Sequence, residues 1–322
     1  MKTQFYPLLF LLVLLQSCET KEVEKKWTGD NVLKTAVFQG ISLLGDSLIT
    51  DVDTVAQQDQ LKKLFEAERA YAEEPSLDNL IWIGRREAYL GRYDLAIRTF
   101  TKGIEENKNS FEPLRHRGHR FISTRELDRA IEDLEKAADL MQGQALQIEK
   151  DGMPNAFNIP LSNVQFNVWY HLGLAHYLKG DFESALKAYQ SCLTVSNNDD
   201  LLIATLDWYY MALMKLGRTE EAQSVIKPVH EKMTVLENDD YLKRILMYKG
   251  ILVPEDLLKA DVNLENQRLQ YVTQGYGLGN HYLSLGDTSK AKIIFENVVA
   301  SGFWSAFGYI GSEMELTKLR NE

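Results

Sequence analysis

Small and large apolar positions recur along the chain at fixed distances from a series of turn residues. Most turns are preceded, seven residues earlier, by a glycine; five residues after each turn stands an alanine, and nine residues after it a large apolar side chain. The turns are Gly91, Arg125, Gly180, Gly217 and Gly286; the alanines are Ala96, Ala130, Ala185, Ala222 and Ala291; the large side chains are Phe100, Leu134, Tyr189, Ile226 and Phe295. A turn glycine ends one helix in a left-handed conformation, and the small residues let two helices approach. Because one helical hairpin cannot bury its apolar face alone, the pattern predicts stacked hairpins.

The distances between the turns give the repeat length. The first two turns are 34 residues apart, the third and fourth 37, and the fourth and fifth 69, or about two units. Gly250 lies between the last two and marks a degenerate copy, whose second helix is expected to open at Pro254. The second and third turns are 55 residues apart, and the surplus is rich in glycine, proline and asparagine, which predicts an inserted loop.

This pattern resembles the tetratricopeptide repeat (TPR), whose unit is about 34 residues. The resemblance implies an all-α fold: a TPR helical-hairpin solenoid with a concave groove and a C-terminal capping helix. Residues 81–86, 115–120, 167–173 and 304–310 are similar to a family of bacterial TPR proteins, a resemblance that implies a fold and no activity. The predicted segments are an N-terminal cap (31–76), repeats 1–2 (77–144), the inserted loop (145–165), repeats 3–4 (166–236), a degenerate repeat (237–271), a last repeat (272–305) and the capping helix (306–322).

The first residues are typical of a bacterial lipoprotein signal. Leu8–Leu15 is an unbroken apolar run, too short to span a bilayer and of the length of a signal-peptide core. Leu15-Gln16-Ser17-Cys18 resembles a lipobox, which implies a signal peptide over 1–17, acylation of Cys18 and a flexible tether over 18–30. Glu19 follows the cysteine, where an Asp marks inner-membrane retention in enterobacterial lipoproteins, and acidic residues at this place resemble a surface-export signal of other Gram-negative lineages. This resemblance implies the outer membrane or cell surface rather than the inner membrane; the alternative for these acidic residues is a solvated linker. The alternative is an ordinary secretory signal that happens to contain a cysteine.

Composition narrows the function further. The chain carries 36 basic and 46 acidic residues, a net charge of −10, which argues against nucleic acid as a partner. Two cysteines cannot build a disulfide framework or a four-thiolate zinc site, and if Cys18 is acylated, Cys192 has no partner. No cofactor is predicted, and none of the common catalytic motifs of hydrolases, nucleotide-binding enzymes or metalloproteases occurs.

The candidate site follows from the TPR resemblance. In peptide-binding TPR modules, ligand contacts come from fixed positions on the first helix of each repeat. Aligned on the turns, these positions predict a basic and aromatic groove lined by Trp82, Arg85, Arg115, His116, His119, Asn167, Tyr170, His171, Asp207, Trp208, Tyr276 and Asn280. Arginines flank the histidines and would repel a cation, so no metal site is expected.

Residues 115–125 contain four arginines, two histidines and no acid, which predicts a clamp for a carboxylate, phosphate or sulfate. The alternative pairs these arginines with structural acids, either on the repeats or in the loop, as at Asp151. The groove aromatics could stack on sugar rings or belong to the core. Asn155 and Asn158 could hang over the groove or cap their own turns.

These observations predict a non-catalytic lipoprotein of the cell envelope, a scaffold that binds a protein partner or an anionic ligand in its groove. The partners implied are envelope proteins and, through the lipid anchor, the membrane. The alternative is an accessory protein of a polysaccharide degradation or uptake system; an enzyme is the least favoured reading.

Overall fold

The computed structural model describes residues 34–150 and 155–321. The predicted signal peptide, Cys18 and the whole predicted tether lie outside these residues, as does Asp151. The elements are β1 Lys34–Ile41, β2 Ser47–Asp53, α1 Gln58–Glu73, α2 Leu77–Tyr89, α3 Tyr93–Glu106, α4 Glu112–Ser123, α5 Leu127–Leu140, α6 Val164–Lys179, α7 Phe182–Val195, α8 Asp199–Lys215, α9 Thr219–Ile226, α10 Asp239–Tyr248, a 3₁₀ turn Pro254–Asp256, α11 Glu265–Ser284, α12 Thr288–Ala300 and α13 Phe307–Asn321. Helices pair along the chain, α2 with α3, α4 with α5, α6 with α7 and α11 with α12. The all-α solenoid of helical hairpins is confirmed.

The predicted turns adopt the left-handed backbone that ends each first helix. Gly91, Gly180, Gly217, Gly250 and Gly286 have φ angles between 70° and 88°. Arg125 has φ 68° although it carries a side chain, a conformation that is unfavourable for most residues. Its guanidinium is held by the carboxylate of Glu313 on α13, with Nε 2.9 Å from Oε2, and donates to the carbonyl oxygen of Trp304 at 2.7 Å. Long-range contacts therefore stabilise this left-handed turn at Arg125, where a glycine could adopt the same backbone conformation without such contacts.

The paired small and large positions are where the two helices of a hairpin touch. A Cβ added to the first-helix glycine would stand only 2.2 to 2.8 Å from the large side chain of the second helix. The pairs are Gly84 with Phe100, Gly118 with Leu134, Gly173 with Tyr189, and Gly279 with Phe295. The spacing in the sequence thus records direct contacts inside each repeat.

The N-terminal cap contains a feature that the sequence did not predict, an antiparallel β-hairpin. β1 pairs with β2 and has an irregularity between Phe38 and Gly40. Gly40 lies against the carbonyl oxygen of Thr124, where a Cβ would come within 2.9 Å. The hydroxyl of Thr50 donates to the carbonyl oxygen of Gly91 at 2.9 Å. The hairpin is therefore docked on the turns of the first two repeats.

The capping helix joins the two ends of the solenoid. α13 packs on α11 and α12 and also on α6. The hydroxyl of Thr317 donates to the carbonyl oxygen of Leu43 at 3.2 Å, and Nε1 of Trp304 donates to that of Ile49 at 2.9 Å, so the C-terminal region contacts the β-hairpin. Lys215 at the end of α8 forms an ion pair with Glu315 at 2.7 Å. The stack consequently closes around its own last helix, and part of the expected groove is filled.

The degenerate repeat departs from the prediction. α10 ends at the Gly250 turn, but the expected second helix is only the single 3₁₀ turn that begins at Pro254. Leu257 follows in an extended conformation and is buried, and Leu258 has φ 61°. Here an irregular segment supplies the apolar contact that a second helix makes elsewhere.

Candidate functional site

A cavity of about 360 Å³ lies among the first helices of the N-terminal half of the solenoid. Its walls come from α2, α4, α6, α8 and α10, with Phe307 of α13 and Glu149 of the inserted loop. Seven of the predicted groove residues line it: Arg85, Arg115, His116, His119, Asn167, Tyr170 and His171. A volume of this size is typical of small-ligand sites.

Arg115 and Glu149 form the buried polar centre of the cavity wall. Arg115 NH2 lies 3.0 Å from Glu149 Oε1, and both side chains are about nine-tenths buried. Asn167 Nδ2 donates to Glu149 Oε2 at 2.9 Å, and Arg115 NH1 donates to His116 Nδ1 at 2.9 Å. The Nε of Arg115 has no hydrogen-bond partner within the described residues. Burial lowers the pKa of Arg115 to about 10, and the Glu149 charge opposes that shift.

The three histidines of the cavity are neutral at pH 7. Burial, and then the neighbouring arginine charges, lower the pKa of His116 and of His171 well below the ordinary value; burial, Arg120 and His171 do the same for His119. His171 Nδ1 donates to the carbonyl oxygen of Asn167 at 2.5 Å, and the rings of His119 and His171 lie 4.2 Å apart. Because His116 Nδ1 accepts from Arg115, its proton is on Nε2. The positive charge of the cavity therefore comes from its arginines.

The four arginines of residues 115–125 separate into two pairs. Arg117 binds Asp133 with Nε 2.7 Å from Oδ2, and Arg125 binds Glu313, so both have structural ion pairs. Arg115 and Arg120 line the cavity, together with Arg85 from α2. The structural alternative is thus correct for Arg117 and Arg125, and also for Arg115, which pairs with Glu149 of the inserted loop. Of the four, Arg120 alone has no carboxylate partner within the described residues, and it lines the cavity together with Arg115.

Trp208, Tyr276 and Asp207 are not groove residues, and this part of the prediction is wrong. The rings of Trp208 and Tyr276 are stacked with centroids 5.6 Å apart, and both residues are fully buried. Asp207 Oδ2 lies 2.8 Å from Arg244 NH2, and Gly277 leaves room for that arginine, since a Cβ would stand 2.3 Å from its Nε. We call Asp207, Trp208, Arg244 and Tyr276 the filled centre. The first-helix positions do point inward here, but the protein's own side chains occupy the space.

Trp82 and Asn280 lie apart from the cavity. Trp82 lines an adjacent recess of about 200 Å³, and the guanidinium of Arg85 lies 4.3 Å from its ring centroid. Asn280 is buried, and its Nδ2 donates to the carbonyl oxygen of Tyr276 at 3.1 Å. Asn155 caps its own loop, since its Oδ1 accepts from the backbone N–H groups of Phe157 and Ile159.

The sequence prediction missed other residues that line the cavity, among them Tyr89, Arg120, Glu149 and Tyr241. Arg120 belongs to the basic stretch 115–125, but it is not at one of the helix positions from which the groove was predicted. Glu149 is brought in because the inserted loop folds back, with a bridge between Ile148 and Asn163. The position of Glu149 in the sequence does not by itself indicate this contact. The one available signal is that an acidic residue lies in an insertion beside a predicted basic groove.

Other site chemistry is limited. Cys192 is buried, its Sγ lies 3.3 Å from Thr205 Oγ1, and burial raises its pKa to about 12. Over residues 34–150 and 155–321, no group of three or more histidine, cysteine or acidic side chains could hold a metal ion. In the same ranges, the helices are all too short or too polar to cross a membrane.

Comparisons with known proteins found one repeat-family match and several similar solved structures. Residues 166–199, which span α6 and α7, match the tetratricopeptide repeat family. The chain is similar to YrrB, described as a TPR protein with an unusual peptide-binding site, at 14% identity and a TM-score of 0.40 over 73% of this chain and 91% of that one. It is also similar to a TPR protein from Parabacteroides merdae, at 14% identity and a TM-score of 0.46 over 82% and 94% of the two chains. No curated protein matches the sequence.

The class of protein is therefore a TPR solenoid, a fold suited to binding other proteins. It contains a basic cavity between the first helices of repeats 1 to 4, with Tyr241 of α10 as a further wall residue.

Proposed function

We propose that the chain is a non-catalytic scaffold of the cell envelope that holds an anionic part of a protein partner in its basic cavity. The observation that carries this proposal is the charge of the cavity. Among the residues that the structure describes, three arginines line it, against one buried carboxylate, that of Glu149. The second acid, Glu237, is solvent-exposed and accepts a hydrogen bond from Asn155 at 2.7 Å. Arginine in a partly desolvated site favours carboxylate, sulfate or phosphate groups.

An acidic peptide tests the proposal. Fluorescence anisotropy would compare a labelled oligoglutamate with an oligoglutamine of equal length, using the mature chain at two salt concentrations. The acidic peptide is expected to bind more tightly, and binding should weaken with salt because charge drives it. Arg85→Gln is expected to reduce the affinity about tenfold, or about 1.4 kcal/mol.

Arg98→Gln is the matched control, since Arg98 is an exposed arginine of α3 that does not line the cavity. Its affinity for the acidic peptide should equal that of the wild type. Equal binding of the two peptides by the wild type would refute the proposal, and equal losses in the two variants would show that binding is not in the cavity.

The alternative is an accessory role in polysaccharide degradation or uptake. It is supported by the three tyrosines that line the cavity beside the arginines, Tyr89, Tyr170 and Tyr241, because aromatic rings and arginines together suit acidic sugars. Calorimetry with sulfated and uronic oligosaccharides separates the two functions. Heat with an oligosaccharide, but none with oligoglutamate, would favour the accessory role.

The envelope location is supported by the sequence at Leu15–Cys18. Mass spectrometry of the mature N-terminus is expected to find a lipid-modified Cys18, and Cys18→Ser is expected to release the protein from the membrane fraction. An unmodified cysteine in the mature protein would exclude the lipid anchor.

A further inference from the structure

The three arginines of the cavity differ in how far they are neutralised. Arg115 is paired with Glu149 at 3.0 Å, yet its Nε has no acceptor among residues 34–150 and 155–321, although the residue is only 7% exposed. A buried donor with no acceptor is costly, and it is expected to be satisfied by a ligand. This nitrogen lies in a side chain that lines the cavity.

Arg85 and Arg120 have no carboxylate partner within the described residues. Arg85 NH2 donates to the hydroxyl of Tyr89 at 3.4 Å, and its guanidinium lies over Trp82. Arg120 lies over the ring of Tyr93, 4.9 Å from its centroid. Both guanidiniums thus rest on neutral aromatic groups, which leaves their charges uncompensated.

The uncompensated charges act on each other. Burial lowers the pKa of Arg120, and the charge of Arg85 lowers it further. Both arginines also lower the pKa of Arg115. Like charges held close together in a partly desolvated cavity repel one another, and an anion placed among them would remove that repulsion.

We propose that Arg85, Arg120 and the Nε of Arg115 form a subsite for a dianionic phosphate monoester, a proposal that rests on the anion-binding function above. Glu149 neutralises one of the three arginines, so two positive charges remain, which matches the charge of a phosphate monoester at neutral pH. Such a group presents three terminal oxygens to the three guanidiniums. A single carboxylate presents two oxygens and one charge.

The rest of the cavity suits the organic part of such an ester. Phe166 and Tyr170 are stacked with centroids 5.4 Å apart and line the wall with Leu201, Ala204 and Tyr241. This wall is aromatic and apolar, whereas the arginines come from α2 and α4. The ligand class is therefore a phosphate bound to a compact aromatic or apolar body.

Phenyl phosphate and phenyl sulfate test the charge, since they share shape and differ by one negative charge at pH 7.5. Calorimetry on the mature chain would measure the affinity for both. Benzoate would serve as the carboxylate ligand, and inorganic phosphate as the ligand that lacks an organic group. Phenyl phosphate is expected to bind at least tenfold more tightly than phenyl sulfate. The preference should shrink at pH 5.5, because the second ionisation of a phosphate ester lies near pH 6.

Variants test whether the ligand binds at these arginines. Arg85→Gln and Arg120→Gln are each expected to weaken phenyl phosphate at least tenfold and to bring its affinity close to that of phenyl sulfate. Arg98→Gln should leave both affinities unchanged, and thermal unfolding would verify that each variant is folded. A peptide carrying a phosphorylated tyrosine, compared with its unmodified form, tells whether the ester comes from a protein or from a small molecule.

The possible failures are distinguishable. If phenyl sulfate or benzoate binds as tightly as phenyl phosphate and Arg85→Gln weakens all of them, the anion site stands and its preference for a dianion is overturned. If none of these ligands and no acidic peptide binds the wild type, the proposed function fails as well. If Arg98→Gln weakens phenyl phosphate as much as Arg120→Gln does, the assigned subsite is wrong.

Discussion

The basic cavity and the filled centre are built from equivalent helices of the same solenoid, yet one is open and the other is solid. In both, inward positions of first helices carry arginine and tyrosine, and one arginine pairs with an acid, which comes from a first helix in the filled centre and from the inserted loop at the cavity. In the filled centre Arg244 reaches Asp207 at 2.8 Å and lies among three aromatic rings. In the cavity, Arg85 and Arg120 pair with no acid in the described part of the chain, and space remains between the walls. Equivalent repeat positions thus serve folding at one end of the stack and are left available at the other.

The cavity is open and the filled centre is solid because different side chains and segments pack into the interior of the solenoid at the two places. Gly277 admits the side chain of Arg244, and α13 packs against α11. Around the cavity, α13 contributes only Phe307 to the wall, and the inserted loop contributes Glu149. The comparison teaches that repeat register determines which residues face inward, whereas elements outside the repeats determine whether the interior is filled.

Removing Arg244 is expected to have the largest effect. Arg244→Met leaves the fully buried carboxylate of Asp207 unpaired, which should lower the free energy of unfolding by about 3–5 kcal/mol at pH 8. Burial already raises the pKa of Asp207 to about 7, so the loss should be smaller at pH 5.5, where the carboxyl can be protonated. Urea unfolding at the two pH values measures both effects.

Lys179→Met is the control for this prediction. Lys179 forms an ion pair with Asp128 in which both side chains are more than half exposed, so its replacement should change the free energy of unfolding very little. A loss below about 1 kcal/mol for Arg244→Met would show that the filled centre does not depend on its ion pair.

Replacing a neutral histidine of the cavity is expected to have the next largest effect on the free energy of unfolding, and the size of this effect depends on pH. The unfolded chain binds protons on histidine near pH 6.5, whereas the folded state resists this because burial lowers the pKa of His171. Stability is therefore lost as the pH falls below about 6.5, by up to about 1.4 kcal/mol per pH unit for one histidine. His171→Leu should remove this loss, so its advantage over the wild type should grow between pH 7 and pH 5.

The test compares the free energy of unfolding of the variant with that of the wild type at each pH. The wild type alone is not sufficient, because other groups change stability with pH in the opposite direction. The pKa values of Asp207 and Glu87 are raised by burial to about 7, so their protonation favours the folded state as the pH falls. His230→Leu is the control, since His230 is exposed and outside the cavity. An advantage of His171→Leu that does not change with pH would contradict a neutral histidine in the folded cavity.

The sequence predicted the elements that depend on local rules. The left-handed turns at Gly91 and Gly180 and the contact of Gly173 with Tyr189 follow from spacing alone, because each lies within one repeat. The same register brought seven candidate residues to one cavity.

The parts that were missed depend on contacts between distant segments. The β-hairpin has exposed apolar residues, such as Phe38 and Ile49, so it lacks a clean alternation, and its stability comes from docking on later turns. Glu149 meets Arg115 only because the inserted loop folds back. Trp208 faces inward as predicted, but periodicity cannot tell a filled interior from an open one.

Two matched hydroxyl deletions give the smallest effect and the most direct comparison of the two regions. In the filled centre, the hydroxyls of Tyr276 and Tyr177 are 3.0 Å apart and both residues are fully buried. Tyr276→Phe leaves the Tyr177 hydroxyl without its partner, which should cost about 1–3 kcal/mol. At the cavity, the hydroxyls of Tyr170 and Tyr241 are 3.2 Å apart, and Tyr241 is only half-buried. Water can replace the lost partner there, so Tyr170→Phe should cost about 0.5–1 kcal/mol. Chemical denaturation of the two variants measures the difference, and equal costs would mean that the cavity is as dry as the filled centre.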